Sequence, residues 1–315
     1  MLSVEEFIKK YYDSLGLELF AGKTGVIRVV RVPEIERPGL TLTGFFKGHS
    51  PKRILVFGRV EMEYLRELDV ETRTNRLSAI FSDQLPMIIV SRRIKPFKEM
   101  IAICNKKNIP LFRTSFTTSQ ILSKLTVALG EIFAPKSSCH GTLVECFGLG
   151  VILQGDSSVG KSETALGLIE RGHKLVSDDV VILKNRDGLS IIGSGPELTR
   201  HMLEIRGIGI INVAHLYGAV CISTQTKVDI VVKLEEWDQD HFYDRVGLEE
   251  KYLEILGVNI PYYVMPVKPG RDVVLLLETV VLNNRLKNMG YNSAKEFNVK
   301  LLETIANRQK TKIFR

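Results

Sequence analysis

The chain has 315 residues, 44% of them apolar and 25% charged, with a formal net charge of +7. Those proportions exclude a disordered or collagen-like polypeptide and leave room for two domains, each with its own core. The longest apolar run, over 273–282, is broken by Glu278 and is too short for a bilayer, so no membrane association is expected.

The start of the chain is acidic and amphipathic, without a secretory pattern, and a cytoplasmic setting is expected. Cys104, Cys139, Cys146 and Cys221 have no zinc or redox spacing and fit a reducing compartment. The basic excess can attract phosphate-bearing ligands. No zinc-finger or RNA-recognition signature accompanies it, so no nucleic-acid partner is expected.

Strand-like and helix-like segments alternate up to about Phe133. Strands are expected at 54–57, 87–90 and 111–113, and helices over 60–68, 97–106 and 119–132. This is an α/β pattern with a parallel sheet. It lacks a phosphate loop and a catalytic cluster, which leaves a regulatory, assembly or scaffold role. Pro135 and the serines in 134–138 interrupt the pattern and suggest a linker, giving domains over 1–134 and 135–315.

The second domain opens with a strand over 142–147 and a tight turn. Val151, Ile152 and Leu153 then form the short apolar run of a buried strand. Gly155, Asp156, Ser157, Ser158, Val159, Gly160, Lys161 and Ser162 fit G-x-x-x-x-G-K-[ST]. Backbone N–H groups can wrap a phosphate chain only where no side chain blocks the approach, and the two glycines supply that clearance. Ala165, Leu168 and Ile169 recur at helical spacing, so a helix starts at Lys161 and aims its N-terminus at the phosphates. Lys161 would reach the β and γ phosphates, and the Ser162 hydroxyl would face Mg²⁺.

Asp178 and Asp179 interrupt an apolar stretch, which is costly unless a metal ion or a reacting hydroxyl is their partner. One helix and one strand separate them from Lys161, so the strand's end should lie beside the loop in a parallel sheet. Glu204 and Arg206 should share one side of a strand-like segment, as Mg²⁺ ligand and phosphate contact or as an ordinary ion pair. Arg245, in a charged loop after Trp237, could stabilise a transferring phosphate. Pro266, Val267, Lys268, Pro269, Gly270 and Arg271 make a stiffened basic loop. Ser293 and Glu296 read as a capping box before an apolar stripe of Ala294, Phe297, Leu301 and Ile305, a pattern more typical of core than of a partner surface.

Taken together, GDSSVGKSE, SDD, LEIRGIGIIN, WDQDHFYDRVG and PVKPGR resemble the HPr kinase/phosphorylase family over at least His140 to Phe297. RPGLTLTGFF in the first domain is similar as well. The resemblance implies an enzyme that uses ATP and Mg²⁺ to phosphorylate a serine of HPr, the phosphocarrier of the sugar phosphotransferase system. It also implies removal of that phosphate by inorganic phosphate, yielding pyrophosphate, in the control of carbon catabolite repression. The implied kinase domain is like the nucleotide-binding core of phosphoenolpyruvate carboxykinase, in a homohexamer that answers to fructose bisphosphate.

Catalytic roles then fall on His140, Lys161, Asp179 and Arg245, and Mg²⁺ ligation on Ser162 and Glu204, with Asp178 a further candidate. Leu203, Glu204, Ile205, Arg206, Gly207, Ile208, Gly209, Ile210, Ile211 and Asn212 match the segment used in both directions, and 266–271 the loop tied mainly to dephosphorylation. Ser158 stands where many members have glycine, and Asp272 where Asn is common. A kinase of a small metabolite using the same loop is the alternative. A regulatory GTPase would want N-K-x-D downstream, and the nearest string, Asn105 to Asn108, lies upstream without the aspartate.

Overall fold

The computed structural model describes residues 2–241, 243 and 247–313. The chain divides into two compact units, the first ending at Phe133 and the second beginning at Ala134.

The first unit is a five-stranded sheet in the order Leu17–Ala21, Leu111–Thr114, Ile88–Val90, Ile54–Phe57 and Ile35–Glu36. The last four strands are parallel, and Leu17–Ala21 runs antiparallel to its neighbour. Leu55 and Phe57 pack with Met62, Leu65, Leu77 and Met100 on one face. Ile54 and Val56 pack with Phe7, Ile121 and Leu125 on the other. Burial on both faces explains why these strands are continuous apolar runs without alternation. The three strands and three helices read from sequence are all present.

Three further helices lie outside those expectations, the single turn Gly39–Leu42 and the longer Val4–Leu15 and Val70–Ile80. Each of the two longer ones carries a legible start. Ser3 and Glu6 form a capping box, and Asp69 accepts a hydrogen bond from the Thr72 N–H at 2.9 Å. Val70–Ile80 escapes notice because only Leu77 and Ile80 of its side chains are buried.

The second unit holds a nine-stranded mixed sheet, running Lys174–Ser177, Thr142–Cys146, Leu149–Gln154, Gln225–Glu236, Ile191–Ser194, Val180–Asn185 and Lys136–His140. The long Gln225–Glu236 strand pairs with Ile191–Ser194 through its first residues and, through its last, with Val258–Val267, which carries Lys251–Ile255. Residues 136–138, read as linker, are the start of a strand that pairs with 180–184. The expected parallel neighbour of the phosphate-loop strand is also corrected. Thr142–Cys146 sits between Lys174–Ser177 and Leu149–Gln154, antiparallel to both.

The C-terminal helix, Ser293–Ile313, is present, but its cap is one residue earlier than read. Asn292 Oδ1 accepts from the Lys295 N–H at 3.1 Å, while Glu296 pairs with Lys300. Its apolar stripe is not core within this chain, since Phe297 is 59% exposed and Leu301 and Ile305 are exposed as well. Among the described residues no helix is long and apolar enough to cross a membrane.

Candidate active site

The Leu149–Gln154 strand delivers the chain to Gly155, where a Cβ would lie 2.2 Å from the Leu234 carbonyl oxygen of the adjacent strand. Only glycine fits, and its φ of +138° turns the chain out of the sheet. Val159 is buried and pins the loop to the core. The Lys161–Glu170 helix follows, and Gly160 gives it no side-chain cap, so its first N–H groups point into the loop. Lys161 Nζ donates to the carbonyls of Gly155 and Asp156, both at 2.9 Å, which holds an ammonium within the cradle. Ser158 has a φ of +75°, a region that costs a side chain about 1–2 kcal/mol.

The adjacent aspartates receive opposite environments. Asp178 is 9% exposed and accepts from Thr142 Oγ1 at 2.7 Å, Ser162 Oγ at 3.1 Å and the Glu204 N–H at 3.1 Å. These donors are all neutral. Asp179 faces the other way, its side chain 81% exposed, with His140 Nδ1 at 3.7 Å from Oδ1. Its φ of +64° and the hydrogen bond from the Gly141 N–H to its carbonyl make the sharp turn that reverses the side chain. Two carboxylates one peptide apart thus face opposite ways, one buried among neutral donors and one open to solvent.

The segment 203–212 is a hairpin rather than one strand, with Met202–Ile205 paired to Gly209–Asn212. Leu203 and Ile205 are buried, while Ile208 and Ile210 are exposed. Arg206 Nη2 lies 3.3 Å from Ser157 Oγ, so the hairpin turn reaches the phosphate loop. Glu204 meets Asp178 through its backbone N–H.

The loop 266–271 closes on itself, the Arg271 N–H donating to Lys268 O at 3.0 Å and its Nη1 to Pro266 O at 3.3 Å. Lys268 Nζ stands 5.7 Å over the Trp237 ring. Arg245 lies outside the described residues.

Thr142 and Arg171 carry no sequence signal, and Asp272 takes a different part from the one its sequence position suggests. Thr142 orients Asp178. Asp272, which stands where Asn is common in the family, caps the Val273–Asn288 helix by accepting from the Leu275 N–H at 2.9 Å. That N–H and the Arg171 guanidinium 3.0 Å away hold its carboxyl below the usual range. Arg171 also bridges to Glu278 at 2.7 Å. The aspartate before an apolar run was the available signal for the cap; the bridge had none.

One further cluster imitates a nucleophilic site. His173 Nε2 lies 3.5 Å from Cys146 Sγ and 3.0 Å from Glu278 Oε1. The same nitrogen serves both neighbours, whereas a base needs its second nitrogen for the orienting acid. Burial pushes the Cys146 thiol up to about 12, so it is a structural group.

These features define a two-unit α/β protein whose second unit carries a glycine-rich loop, an uncapped helix start and a buried carboxylate bonded to the loop hydroxyl of Ser162. Its first half, residues 2–129, matches the family description "HPr Serine kinase N terminus", and residues 131–301 match "HPr Serine kinase C-terminal domain". The HPr kinase/phosphorylase of Listeria welshimeri is 42% identical over 290 residues, covering 92% of this chain and 93% of that protein. That of Bacillus pumilus is 40% identical over 297 residues, with 94% and 96% covered. The solved Hpr(Ser) kinase/phosphatase of Coxiella burnetii is 37% identical and covers 51% of this chain and 98% of its own, with a TM-score of 0.47. The chain belongs to the HPr serine kinase family.

Proposed function

We propose that this protein transfers the γ-phosphoryl group of ATP to a serine of HPr and removes it again by phosphorolysis, and so regulates carbon metabolism. The observation that carries the reading is the opposed aspartate pair beside the open helix N-terminus, in a chain similar over more than nine-tenths of its length to HPr kinase/phosphorylases.

The residues fit a divalent cation. Asp178 is a buried carboxylate with neutral partners, and one of them is the loop hydroxyl of Ser162. Mg²⁺ is commonly held by one or two carboxylates together with substrate phosphates. Ser162 and Asp178 would hold it, with Glu204 as a third oxygen donor, and when bound it neutralises charge on the β and γ phosphates.

The chain's own groups supply the rest. The N–H groups of residues 155–162 wrap the phosphate chain, and Lys161 exchanges two neutral carbonyls for a charged phosphate oxygen. Asp179 accepts the proton of the HPr serine as its oxygen bonds to the γ phosphorus and the bond to the β-bridging oxygen breaks, releasing ADP. His140, 3.7 Å away, steadies the ionised carboxylate when it is itself protonated. Arg206 and, by the family resemblance, Arg245 balance charge on the moving phosphoryl group.

In the reverse direction an oxygen of inorganic phosphate attacks the phosphoserine phosphorus. The serine oxygen leaves with a proton from Asp179, and the product is pyrophosphate. The 266–271 loop, with Lys268 and Arg271, serves this direction.

By the same resemblance the catalytic unit is like the nucleotide-binding core of phosphoenolpyruvate carboxykinase. The protein would act in the cytoplasm as a homohexamer answering to fructose bisphosphate, its first unit regulatory or for assembly. The test is mass spectrometry of HPr incubated with this protein, Mg²⁺ and ATP, then moved into excess phosphate with a pyrophosphate assay. A serine phosphate that appears and later leaves as pyrophosphate is expected. An unmodified HPr with ATP still bound would favour a small metabolite as substrate.

A further inference from the structure

The Lys161–Glu170 helix and the 266–271 loop come from distant stretches of the chain, and one side chain ties the end of the first to the residue directly after the second. Arg171 directly follows the Lys161–Glu170 helix. Its Nη2 lies 3.0 Å from Asp272 Oδ2 and its Nη1 2.7 Å from Glu278 Oε2. His173, two residues on, takes the other oxygen of Glu278 at 3.0 Å. Arg171 and His173 therefore both grip the first turns of the second helix, Val273–Asn288. The two helices also touch closely, since a Cβ on Gly167 would come within 2.7 Å of Val274 Cγ2. Neither can slide alone. Asp272 is at once the cap of the second helix and the neighbour of Arg271.

We infer that Arg171 and Asp272 are positioning residues, whose bridge registers the 266–271 loop against the helix aimed at the phosphates. The inference rests on the role proposed above for that loop. Neither residue touches the reacting atoms. Attack by inorganic phosphate depends on the bridge, while transfer from ATP, cradled by 155–162, depends on it little.

A simple charge effect makes a different forecast. If Asp272 merely repelled phosphate, Asp272→Asn would lower the KM for inorganic phosphate, Arg171→Met would raise it, and the double variant would return near the parent value. Under the positioning account both single variants raise that KM by about two- to fivefold, the range a half-exposed bridge supports. The double variant is then no worse than either, and the KM for ATP moves by less than about twofold. Asparagine still caps the helix, so Asp272→Asn keeps the fold.

A second readout needs no catalysis. Hydrogen–deuterium exchange at the Lys268, Gly270 and Arg271 amides of the full chain is expected to quicken equally in both single variants, Arg271 being the amide bonded within the loop. Unchanged exchange, or the charge pattern in KM, overturns the inference. A parent protein without phosphate-dependent dephosphorylation overturns the loop's assigned role instead, and the exchange result then decides the bridge by itself.

Discussion

The chain makes the same turn twice, once in each unit, and uses it differently. In the first unit Ile54–Phe57 ends at Gly58, and the Arg59–Glu67 helix begins at once. Glu61, third in that helix, folds back, so that Oε2 accepts from the Gly58 N–H at 2.9 Å and Oε1 from Arg37 at 2.8 Å. In the second unit six residues, 155–160, intervene before the helix, and the third helical residue is again a glutamate, Glu163, in the first turn but exposed. A one-residue connection lets the helix supply its own anion. The longer loop leaves the helix start without a side-chain cap and the glutamate exposed. A strand, a glycine and a helix do not make an anion site; an uncapped end does.

That contrast can be broken most severely at Lys161. Lys161→Met is expected to slow both directions by about 10²–10³, the cost of losing one preorganised charge stabiliser, measured as initial rates of HPr phosphorylation and phosphorolysis. Glu61→Ala is the counterpart in the first unit. It leaves the Gly58 N–H without its partner and costs about 1–3 kcal/mol in denaturant unfolding, with the activity of the folded protein unchanged. A loss of activity on the Lys161 scale would show that the two ends are not separate in function.

Ser158→Gly sharpens the comparison more gently. Release of the left-handed serine is partly offset by the greater freedom of glycine in the unfolded chain, so a gain of about 0.5–1 kcal/mol is expected in thermal unfolding. The smallest effect lies in acid. Burial pushes the Glu278 carboxyl up, but His173 and Arg171 bring it net below its ordinary range. A carboxyl depressed in the folded state adds stability above the ordinary carboxylate range, and that stability is lost as pH falls through the folded value. Glu278→Gln should therefore flatten the acid limb of the stability curve.

The sheet of the first unit and the strand, glycine loop and helix over 149–170 were legible because each rests on local signals: buried apolar runs, glycines at fixed spacing, a helical stripe. The reading of Asp178 and Asp179 as a costly pair holds for Asp178, which is buried, and not for Asp179, which is exposed. Their division into an inward and an outward acid was not legible, because it depends on the positive φ at Asp179 and on Thr142 from another strand. The 203–212 segment reads as strand-like around Glu204 and Arg206 with two glycines close behind; Gly207 lies in the turn and Gly209 opens the second strand, a reversal that only the pairing of Ile205 with Gly209 reveals. The linker reading failed at Lys136 because an edge strand with exposed polar residues has no apolar period to detect. The Arg171 bridge joins positions 101 residues apart and leaves no trace in either segment.

The central claim is that one carboxyl, Asp179, serves both directions in opposite states. It must be ionised to accept the serine proton and protonated to return it. Activity in each direction, measured across pH on the same preparation, tests this directly. The account predicts kinase activity that rises with pH where phosphorolysis falls, with both limbs lost in Asp179→Asn. Parallel profiles for the two directions would contradict it.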